Sequence, residues 1–149
     1  MPPRRRRPPD YRLLARVRRS LRALNSAISR GAEWAGLTIQ QQAFLLAVVA
    51  YGGRAVPLAD IREELEMDQA TASALLRRLV QERLVTRVRA RDRRAADISL
   101  TPTGARIFRQ SLEGIQHELQ RAEHRGELNA LRADLETYLR TYLHDDARD

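Results

Sequence analysis

The chain has 149 residues, the length of one ordinary domain, which can bury a core without disulfide or metal staples. It contains no cysteine, so disulfides, thiolate metal sites and cysteine-based redox sensing are excluded. There is no run of about 18 apolar residues, and no apolar stretch follows the N-terminal charges. We therefore expect a cytoplasmic protein.

Charge is distributed unevenly along the chain. The net charge is +8, yet residues 1–30 alone hold ten arginines and one acid, a net of +9. Residues 68–97 come to +4, whereas residues 110–149 come to −4. Two basic blocks in an otherwise mildly acidic chain favour a polyanionic partner.

The first predicted elements are a basic arm and a helix. Residues 1–9 read MPPRRRRPP, and the prolines on both sides of Arg4–Arg7 predict a disordered or extended arm. Such an arm either follows DNA phosphates or a minor groove, or is only a solubilising tail. Asp10 can cap the helix that follows it. The apolar residues of this helix recur at steps of three and four, which is a narrow coiled-coil-like seam: Leu14, Val17, Leu21, Leu24 and Ile28.

A buried helix is predicted next. Thr38 and Gln41 have the spacing of a capping box, which opens a helix that runs through Ala50. The stretch AFLLAVVA within it is apolar on all sides, so we expect a central helix enclosed by the core. Gly52 and Gly53 end the helix.

Two helices and a hairpin are predicted in the middle of the chain. The helices cover about residues 58–65 and 69–83, and Asp68 caps the second of them. The two strands of the hairpin cover residues 86–90 and 97–100. Consecutive short helices followed by a hairpin are the plan of a winged helix-turn-helix. The fold class we expect is mainly α with a small two-stranded β wing, flanked by N- and C-terminal dimerisation helices.

The helix over residues 69–83 has the pattern of a DNA-reading helix. At about 100° per residue, one face is apolar and must meet the core: Ala72, Leu75, Leu76 and Leu79. The small residues Ala70 and Ala74 on the opposite face let a helix approach a groove floor, where polar side chains reach base edges and phosphates. The candidate contacts are Thr71, Ser73, Arg77, Arg78 and Gln81. The same pattern also suits an amphipathic helix with a solvated face.

The connection between the two predicted strands is dense in arginine. Residues 87–94 read RVRARDRR, and like charges at this density repel one another unless a polyanion lies nearby. Arginine at a hairpin tip can enter the minor groove, where the potential is most negative. The wing therefore adds Arg91, Asp92, Arg93 and Arg94 to the candidate contacts. The alternative is a solvated run of charges.

Residues from about 37 to 104 resemble the MarR family of winged helix-turn-helix transcriptional regulators. The most specific pieces are Asp92-Arg93-Arg94 and Leu100-Thr101-Pro-Thr-Gly104. They correspond to the family's D-x-R wing motif and to the L-T-x-x-G start of the following helix. Supporting pieces precede them: Leu65-Glu-Met67-Asp68, Thr71-Ala-Ser73, Leu79, Leu84-Val85 and Arg87.

The resemblance implies a homodimer whose recognition helices enter successive major grooves and whose wings enter adjacent minor grooves. It implies DNA contacts by Thr71, Ser73 and Arg77. It also implies that Asp92 is the wing acid that pairs with an arginine, and that Arg94 is the wing-tip arginine.

One position departs from the family pattern. Arg83 stands where family members usually have a glycine, which ends the recognition helix in a left-handed turn. The angle of the wing therefore depends on the turn that an arginine adopts at this position.

The C-terminal part of the chain supplies a second apolar seam. A helix begins at Thr101-Pro102 and runs to about His124, and a last helix follows Gly126. The last helix has apolar residues at three- and four-residue steps: Leu128, Leu131, Leu135, Tyr138, Leu139 and Tyr142. Two seams of opposite charge at the chain ends favour a dimer. The alternative is that both seams pack within one subunit.

These expectations divide the chain into four segments. They are a basic arm (residues 1–9), an N-terminal dimerisation helix (10–36), a winged helix-turn-helix (37–104) and C-terminal dimerisation helices (105–149). The expected function is a sequence-specific transcriptional regulator, a repressor that binds duplex DNA as a homodimer on a pseudo-palindromic site. One alternative is an architectural DNA binder with little sequence preference. The other is a winged-helix protein-interaction module, and the arginine-rich wing argues against this second alternative.

The sequence indicates no enzyme, metal or cofactor site. His117 and His124 are two helical turns apart, about 10.5 Å, which is too far for one ion. No nucleophile motif or glycine-rich phosphate loop is present. The family resemblance implies a small-molecule effector, often aromatic and anionic, to which Trp34, Tyr51 and Arg16 could contribute. Core or hinge packing is the other interpretation of the tryptophan.

Overall fold

The structure, a computed structural model, describes residues 8, 10–52, 54–89 and 96–142. Within these residues the chain forms six helices and three short strands: α1 (Tyr11–Glu33), α2 (Ile39–Ala50), β1 (Val56–Pro57), α3 (Leu58–Glu64), α4 (Gln69–Gln81), β2 (Val85–Arg89), β3 (Ala96–Leu100), α5 (Pro102–His124) and α6 (Glu127–Tyr142). The predicted mainly helical fold with a small antiparallel wing sheet is confirmed. None of these helices is long and apolar enough to cross a membrane.

The described residues fall into two compact units. The terminal unit contains the residues up to Ile28 and those from Glu118 onward, and the central unit contains Ser29–His117. The borders at residues 36 and 104, which were expected from sequence to separate functional segments, stay a prediction.

The wing sheet has one strand more than the sequence predicts. β2 and β3 pair antiparallel along their whole lengths. On the other edge of β3, β1 adds a third strand, in which Val56 pairs with Ile98. A two-residue strand that ends in proline shows no alternation and lacks a backbone donor, so it leaves no strand signal in the sequence. Because Pro57 is also the N-cap of α3, the wing sheet leads directly into the first helix of the helix-turn-helix.

Helix α2 begins with the predicted capping box. The Gln41 backbone N–H donates to Thr38 Oγ1 (3.2 Å), and the Thr38 N–H donates to Gln41 Oε1 (2.9 Å). The expectation that α2 is buried on all sides is wrong for one face, where Leu46 and Val49 are exposed. An all-apolar stretch does not specify which side meets the core, and only the side that carries Phe44 is enclosed.

The core of the central unit combines residues from its helices and its sheet. Among the described residues, one cluster gathers the buried apolar side chains Ala32, Leu37, Phe44, Leu45, Ala47, Val48, Val56, Ile61, Leu76, Leu79, Leu84, Val85, Ile98 and Phe108. Full burial of a valine, leucine, isoleucine or phenylalanine side chain contributes about 1.5–3 kcal/mol to the free energy of unfolding. Leu76 and Leu79 hold α4 to this core, so the opposite side of α4 faces outward.

The turn between the wing sheet and α5 explains the L-T-x-x-G motif. Thr101 Oγ1 accepts the Gly104 N–H (2.9 Å), as an N-cap does, and donates its own proton to the Arg83 carbonyl (2.6 Å). The Thr101 N–H donates to the Leu84 carbonyl (3.1 Å). A Cβ at residue 104 would lie 1.8 Å from that same Leu84 oxygen. Only glycine allows α5 to begin this close to the backbone that follows α4.

In the terminal unit, hydrogen bonds join α1 to α6. The Asp10 carboxylate accepts from the first backbone N–H groups of α1 at 3.0 and 3.1 Å, which confirms the predicted cap. The Asp10 N–H donates to the Tyr142 hydroxyl (2.5 Å), and Arg16 Nε pairs with Asp134 (3.2 Å). The first and last described helices are therefore packed together within one chain.

The two predicted seams divide between buried and exposed positions. Val17 and Leu131 are buried. Six further seam residues are half-buried: Leu24, Ile28, Leu128, Leu135, Tyr138 and Tyr142. By contrast, Leu14, Leu21 and Leu139 are 40%, 41% and 43% exposed. Each seam thus packs partly within its own subunit and partly remains as apolar surface.

We expect Gly104→Ala to lower the free energy of unfolding by about 2–3 kcal/mol, the size of a strong overpacking defect, because its methyl group must displace the Leu84 carbonyl. Thr103→Ala, on the exposed side of the same helical turn, is the control and should change stability by less than about 0.5 kcal/mol. Urea unfolding followed by circular dichroism measures both. Equal stability of Gly104→Ala and the unsubstituted protein would contradict the close approach.

Candidate nucleic-acid interface

The outer side of α4 is the candidate contact surface. Three residues of its inner side are buried, namely Ala72, Leu76 and Leu79. The candidate contacts all lie on exposed or half-buried positions, as do the small residues between them: Ala70, Thr71, Ser73, Ala74, Arg77, Arg78 and Gln81. The predicted division of this helix into a core face and an outer face is confirmed, whereas DNA contact by these side chains stays a prediction.

The N-terminal end of α4 is held by Asp68. Its carboxylate accepts the Thr71 backbone N–H and the Thr71 hydroxyl, both at 2.8 Å. These hydrogen bonds from Thr71 lower the pKa of Asp68 below its usual value. The ionised cap therefore stabilises the fold above the ordinary aspartate pKa, and this contribution is lost as the pH falls through the lowered value.

The same hydrogen bond limits what Thr71 can do at DNA. Because its hydroxyl proton is donated to Asp68, the oxygen offers only lone pairs to a partner. Phosphate oxygens also only accept, so in this arrangement Thr71 suits an amino group on a base edge rather than a phosphate.

Ser73 is oriented by residues that the sequence analysis did not identify. Gln69 Nε2 donates to Ser73 Oγ (3.0 Å), and Arg62 Nη1, from α3, donates to Gln69 Oε1 (2.8 Å). With its oxygen already accepting, Ser73 has its hydroxyl proton available for an outside acceptor. The link from Arg62 could not be found in the sequence, because it depends on how α3 crosses α4.

Further along α4, a shallow groove of about 440 Å³ is lined by Ala74, Arg77, Arg78, Gln81 and Glu82. Within the described part of the chain, Arg77 has no hydrogen-bonding or ionic partner. Arg78 Nε instead donates to Glu82 Oε1 (3.0 Å). Glu82 was missed by the sequence analysis, although its four-residue spacing from Arg78 is a recognisable signal.

Arg83 itself adopts the left-handed turn that is usual for glycine, with φ of 58°. Its N–H donates to the Val80 carbonyl (3.0 Å), and the Leu84 N–H donates to the Leu79 carbonyl (2.9 Å). These two bonds form the Schellman motif that ends many helices. The chain therefore leaves α4 as it would with glycine, at a strain of about 1–2 kcal/mol.

Positive charge continues from α4 into the wing. Arg87 and Arg89 are alternate residues of β2, so they share one side of the strand, and both are exposed. The predicted wing contacts Arg91, Asp92, Arg93 and Arg94 lie outside the described residues, as does the arm that contains Arg4–Arg7. The described interface thus consists of the outer side of α4 and the arginines of β2.

Trp34 lies on the surface of the central unit, so core packing is not its role. It is 59% exposed. Its ring is tilted 45° against the His117 ring, with the centroids 4.6 Å apart. A Cβ at Gly114 would lie 2.8 Å from the tryptophan Cβ, so this glycine makes room for the indole on α5.

In the part of the chain that the structure describes, no group of three or more histidines and acids is placed to hold a metal ion. His124 Nδ1 lies 2.7 Å from the Gln120 carbonyl one turn earlier on α5. Both His117 and His124 are exposed.

A short helix, a turn, a second helix with a polar outer side and a hairpin directly after it define a winged helix-turn-helix. Proteins of this class insert the second helix into the DNA major groove. Residues 35–95 match the model of the MarR family. No curated protein sequence matches the chain.

Solved structures share the fold over most of the chain. MepR of Staphylococcus aureus, a transcription regulator of the multidrug efflux pump MepA, is 23% identical, covers 87% of this chain and 96% of its own, and has a TM-score of 0.68. Apo MarR of Escherichia coli is 24% identical, covers 88% of this chain and 97% of its own, and has a TM-score of 0.63. A MepR mutant bound to an oligodeoxyribonucleotide is 22% identical, covers 82% of this chain and 91% of its own, and has a TM-score of 0.62. The central part of the chain is therefore similar to the MarR family, and most of the chain shares the fold of these solved structures.

We expect Arg83→Gly to raise the free energy of unfolding by up to about 1 kcal/mol. The left-handed strain it relieves, about 1–2 kcal/mol, exceeds the extra freedom that glycine gives the unfolded chain, about 0.5–1 kcal/mol. Glu66 is a matched control, because it has φ of 51° in the turn after α3, and Glu66→Gly should raise stability as well. Thermal unfolding measures both variants. If Arg83→Gly alone lost stability, contacts of the arginine side chain would outweigh its strain.

Proposed function

We propose that the protein is a homodimeric, sequence-specific repressor that places α4 of each protomer in the major groove of a pseudo-palindromic DNA site. The observation that carries this proposal is the outer side of α4. There Arg77, which has no partner among the described residues, shares the exposed side of the helix with the small residues Ala70 and Ala74. An unpaired guanidinium on a helix surface that can approach a groove floor suits the reading of a base edge.

The proposed dimer rests on the apolar surface left on the terminal unit. Leu14, Leu21 and Leu139 remain exposed on helices that bury Val17 and Leu131. The ends of the chain also differ in charge, with +9 over residues 1–30 and −4 over residues 110–149. A second copy can cover the exposed leucines and pair the opposite charges at the same time.

A two-fold dimer dictates the form of the DNA site. Two identical recognition helices read two identical half-sites, so the site is a pseudo-palindrome with half-site centres about 34–36 Å apart. A dimer bound in this way excludes polymerase wherever its site overlaps a promoter, and on this ground we propose repression.

A small-molecule effector that releases the DNA is part of the same proposal, as the family resemblance implies. Trp34 supports it, because an exposed indole beside the His117 ring offers a surface on which a flat aromatic molecule can stack. Quenching of the fluorescence of this one tryptophan is a direct measure of such binding.

Selection of bound duplexes from a random pool tests the central claim. We expect enrichment of an inverted repeat whose half-sites are about one helical turn apart. Enrichment without symmetry would contradict the dimer. If no motif were enriched and affinity for all duplexes were alike, the protein would be an architectural DNA binder instead.

On the selected site, Arg77→Ala should cost about 1–3 kcal/mol and should abolish the preference for one particular base, because its guanidinium reads that base. Arg132→Ala, an exposed arginine of α6 in the terminal unit, is the control and should leave base preference unchanged. Fluorescence anisotropy on the selected site and its single-base variants gives both results. An equal loss on every sequence would make Arg77 a phosphate contact.

Leu21→Glu should convert the protein from a dimer of twice 17.1 kDa to a monomer, because the substitution places a charge on the apolar surface of α1. Ser26→Glu adds the same charge to an exposed polar position about 140° around that helix from Leu21, and it should leave the dimer intact. Sedimentation velocity measures the mass of each variant. A monomeric unsubstituted protein, or a dimeric Leu21→Glu variant, would overturn this interface.

A further inference from the structure

The carboxylate of Glu82 is held between two donors at the C-terminal end of α4. Its Oε2 accepts Gln41 Nε2 (3.0 Å), and its Oε1 accepts Arg78 Nε (3.0 Å). Gln41 belongs to α2 and is only 2% exposed. The carboxylate is thus anchored from inside the central unit before it meets Arg78 on the outer side of α4.

The orientation of Gln41 is unambiguous. Its Oε1 accepts the Thr38 N–H (2.9 Å) within the capping box of α2, so its amino group must point the other way, to Glu82. A rotated amide would place donor against donor at Thr38 and acceptor against acceptor at Glu82. The cap of α2 therefore determines where the Glu82 carboxylate lies.

An anchored carboxylate orients arginine better than an ordinary surface pair does. Exposed ion pairs contribute little because two flexible side chains must both be ordered. Here Glu82 is already ordered by Gln41, so only the Arg78 side chain loses freedom. Since its Nε is taken, Arg78 has the two terminal amino groups left, and these donate side by side.

We propose that Gln41 and Glu82 are positioning residues for sequence readout, which hold Arg78 so that its terminal amino groups recognise a guanine in the major groove. Two parallel donors match the O6 and N7 acceptors of guanine. Arg78 and Glu82 line the same outer groove as Arg77, so the pair lies within the candidate interface. This inference rests on the proposed sequence-specific binding.

Glu82 also opposes non-specific binding. A carboxylate in the contact surface repels phosphates, and by holding Nε it keeps Arg78 from the nearest phosphate. Arg77, which has no such partner in the described part of the chain, is free to turn to a base or to a phosphate. Removal of the Glu82 charge should therefore strengthen non-specific binding while it weakens discrimination. A merely structural role would weaken both.

The decisive variant is Glu82→Gln, measured by anisotropy on the selected duplex, on its guanine-substituted variants and on a random duplex across a salt series. We expect the ratio of specific to non-specific affinity to fall roughly 5- to 150-fold, the discrimination of one bidentate arginine–guanine pair. Non-specific affinity should rise, and its salt dependence should steepen by about 0.9 per protomer as Arg78 takes a phosphate. Arg78→Ala identifies the guanine, and in the Arg78→Ala background Glu82→Gln should cause no further loss of discrimination.

Arg132 and Glu136 supply the matched control. Their Nε and Oε1 atoms are also 3.0 Å apart at a four-residue spacing, but on α6 of the terminal unit. Glu136→Gln should change neither the ratio nor the salt dependence. Gln41→Leu removes the donor to Glu82 and should reproduce the loss of discrimination. Thr38→Ala breaks the same capping box but leaves the Gln41 side chain bonded to the residue 38 backbone N–H, so it should not.

The outcomes separate this inference from the proposed function. If the unsubstituted protein already binds all duplexes alike, the proposed sequence specificity and this inference both fall. If it discriminates strongly and Glu82→Gln discriminates equally well, only the role of Glu82 falls. Full additivity of Arg78→Ala and Glu82→Gln would also overturn it, since residues that act through one another cannot add independently.

Discussion

The outer side of α4, the proposed DNA-contact surface, points outward because the last turn of this helix is held against the rest of the central unit. One backbone conformation and two hydrogen bonds hold this turn. Arg83 is left-handed, the Leu84 carbonyl accepts the Thr101 N–H, and the Glu82 carboxylate accepts the Gln41 side chain of α2. The start of α5 comes so close to Leu84 that no side chain fits at Gly104. The wing sheet and α5 both follow from this turn, so its geometry sets where the basic strand lies.

The N-terminal end of α4 is held by hydrogen bonds between side chains of α3 and α4 and by its cap. Asp68 accepts the backbone N–H and the hydroxyl of Thr71. Arg62 donates to Gln69, which in turn donates to Ser73. Hydrogen bonds at such exposed positions add little to the free energy of unfolding. Together these bonds order the side chains of the proposed contact surface, and a partner that binds an ordered surface loses less side-chain entropy.

Two adjacent arginines illustrate how the same residue type receives different properties. Arg77 and Arg78 are neighbours on one helix and line one groove, yet only Arg78 has an acid four residues later. An unpaired guanidinium can follow whichever acceptor is nearest, whereas a paired one presents a defined edge. In the terminal unit, α1 and α6 bury part of their apolar surface, and the exposed rest, including Leu21, forms the proposed dimer surface.

The sequence by itself determined the features that depend on residues within about four positions of each other. The capping box of Thr38 and Gln41, the cap at Asp68 and the two faces of α4 all belong to this group, because one helical turn brings such residues together. Only the tertiary structure decided that Leu46 is exposed. It alone also revealed the bond from Gln41 to Glu82, residues 41 positions apart. These depend on how helices cross, and a local pattern does not encode which of several apolar or polar faces will meet.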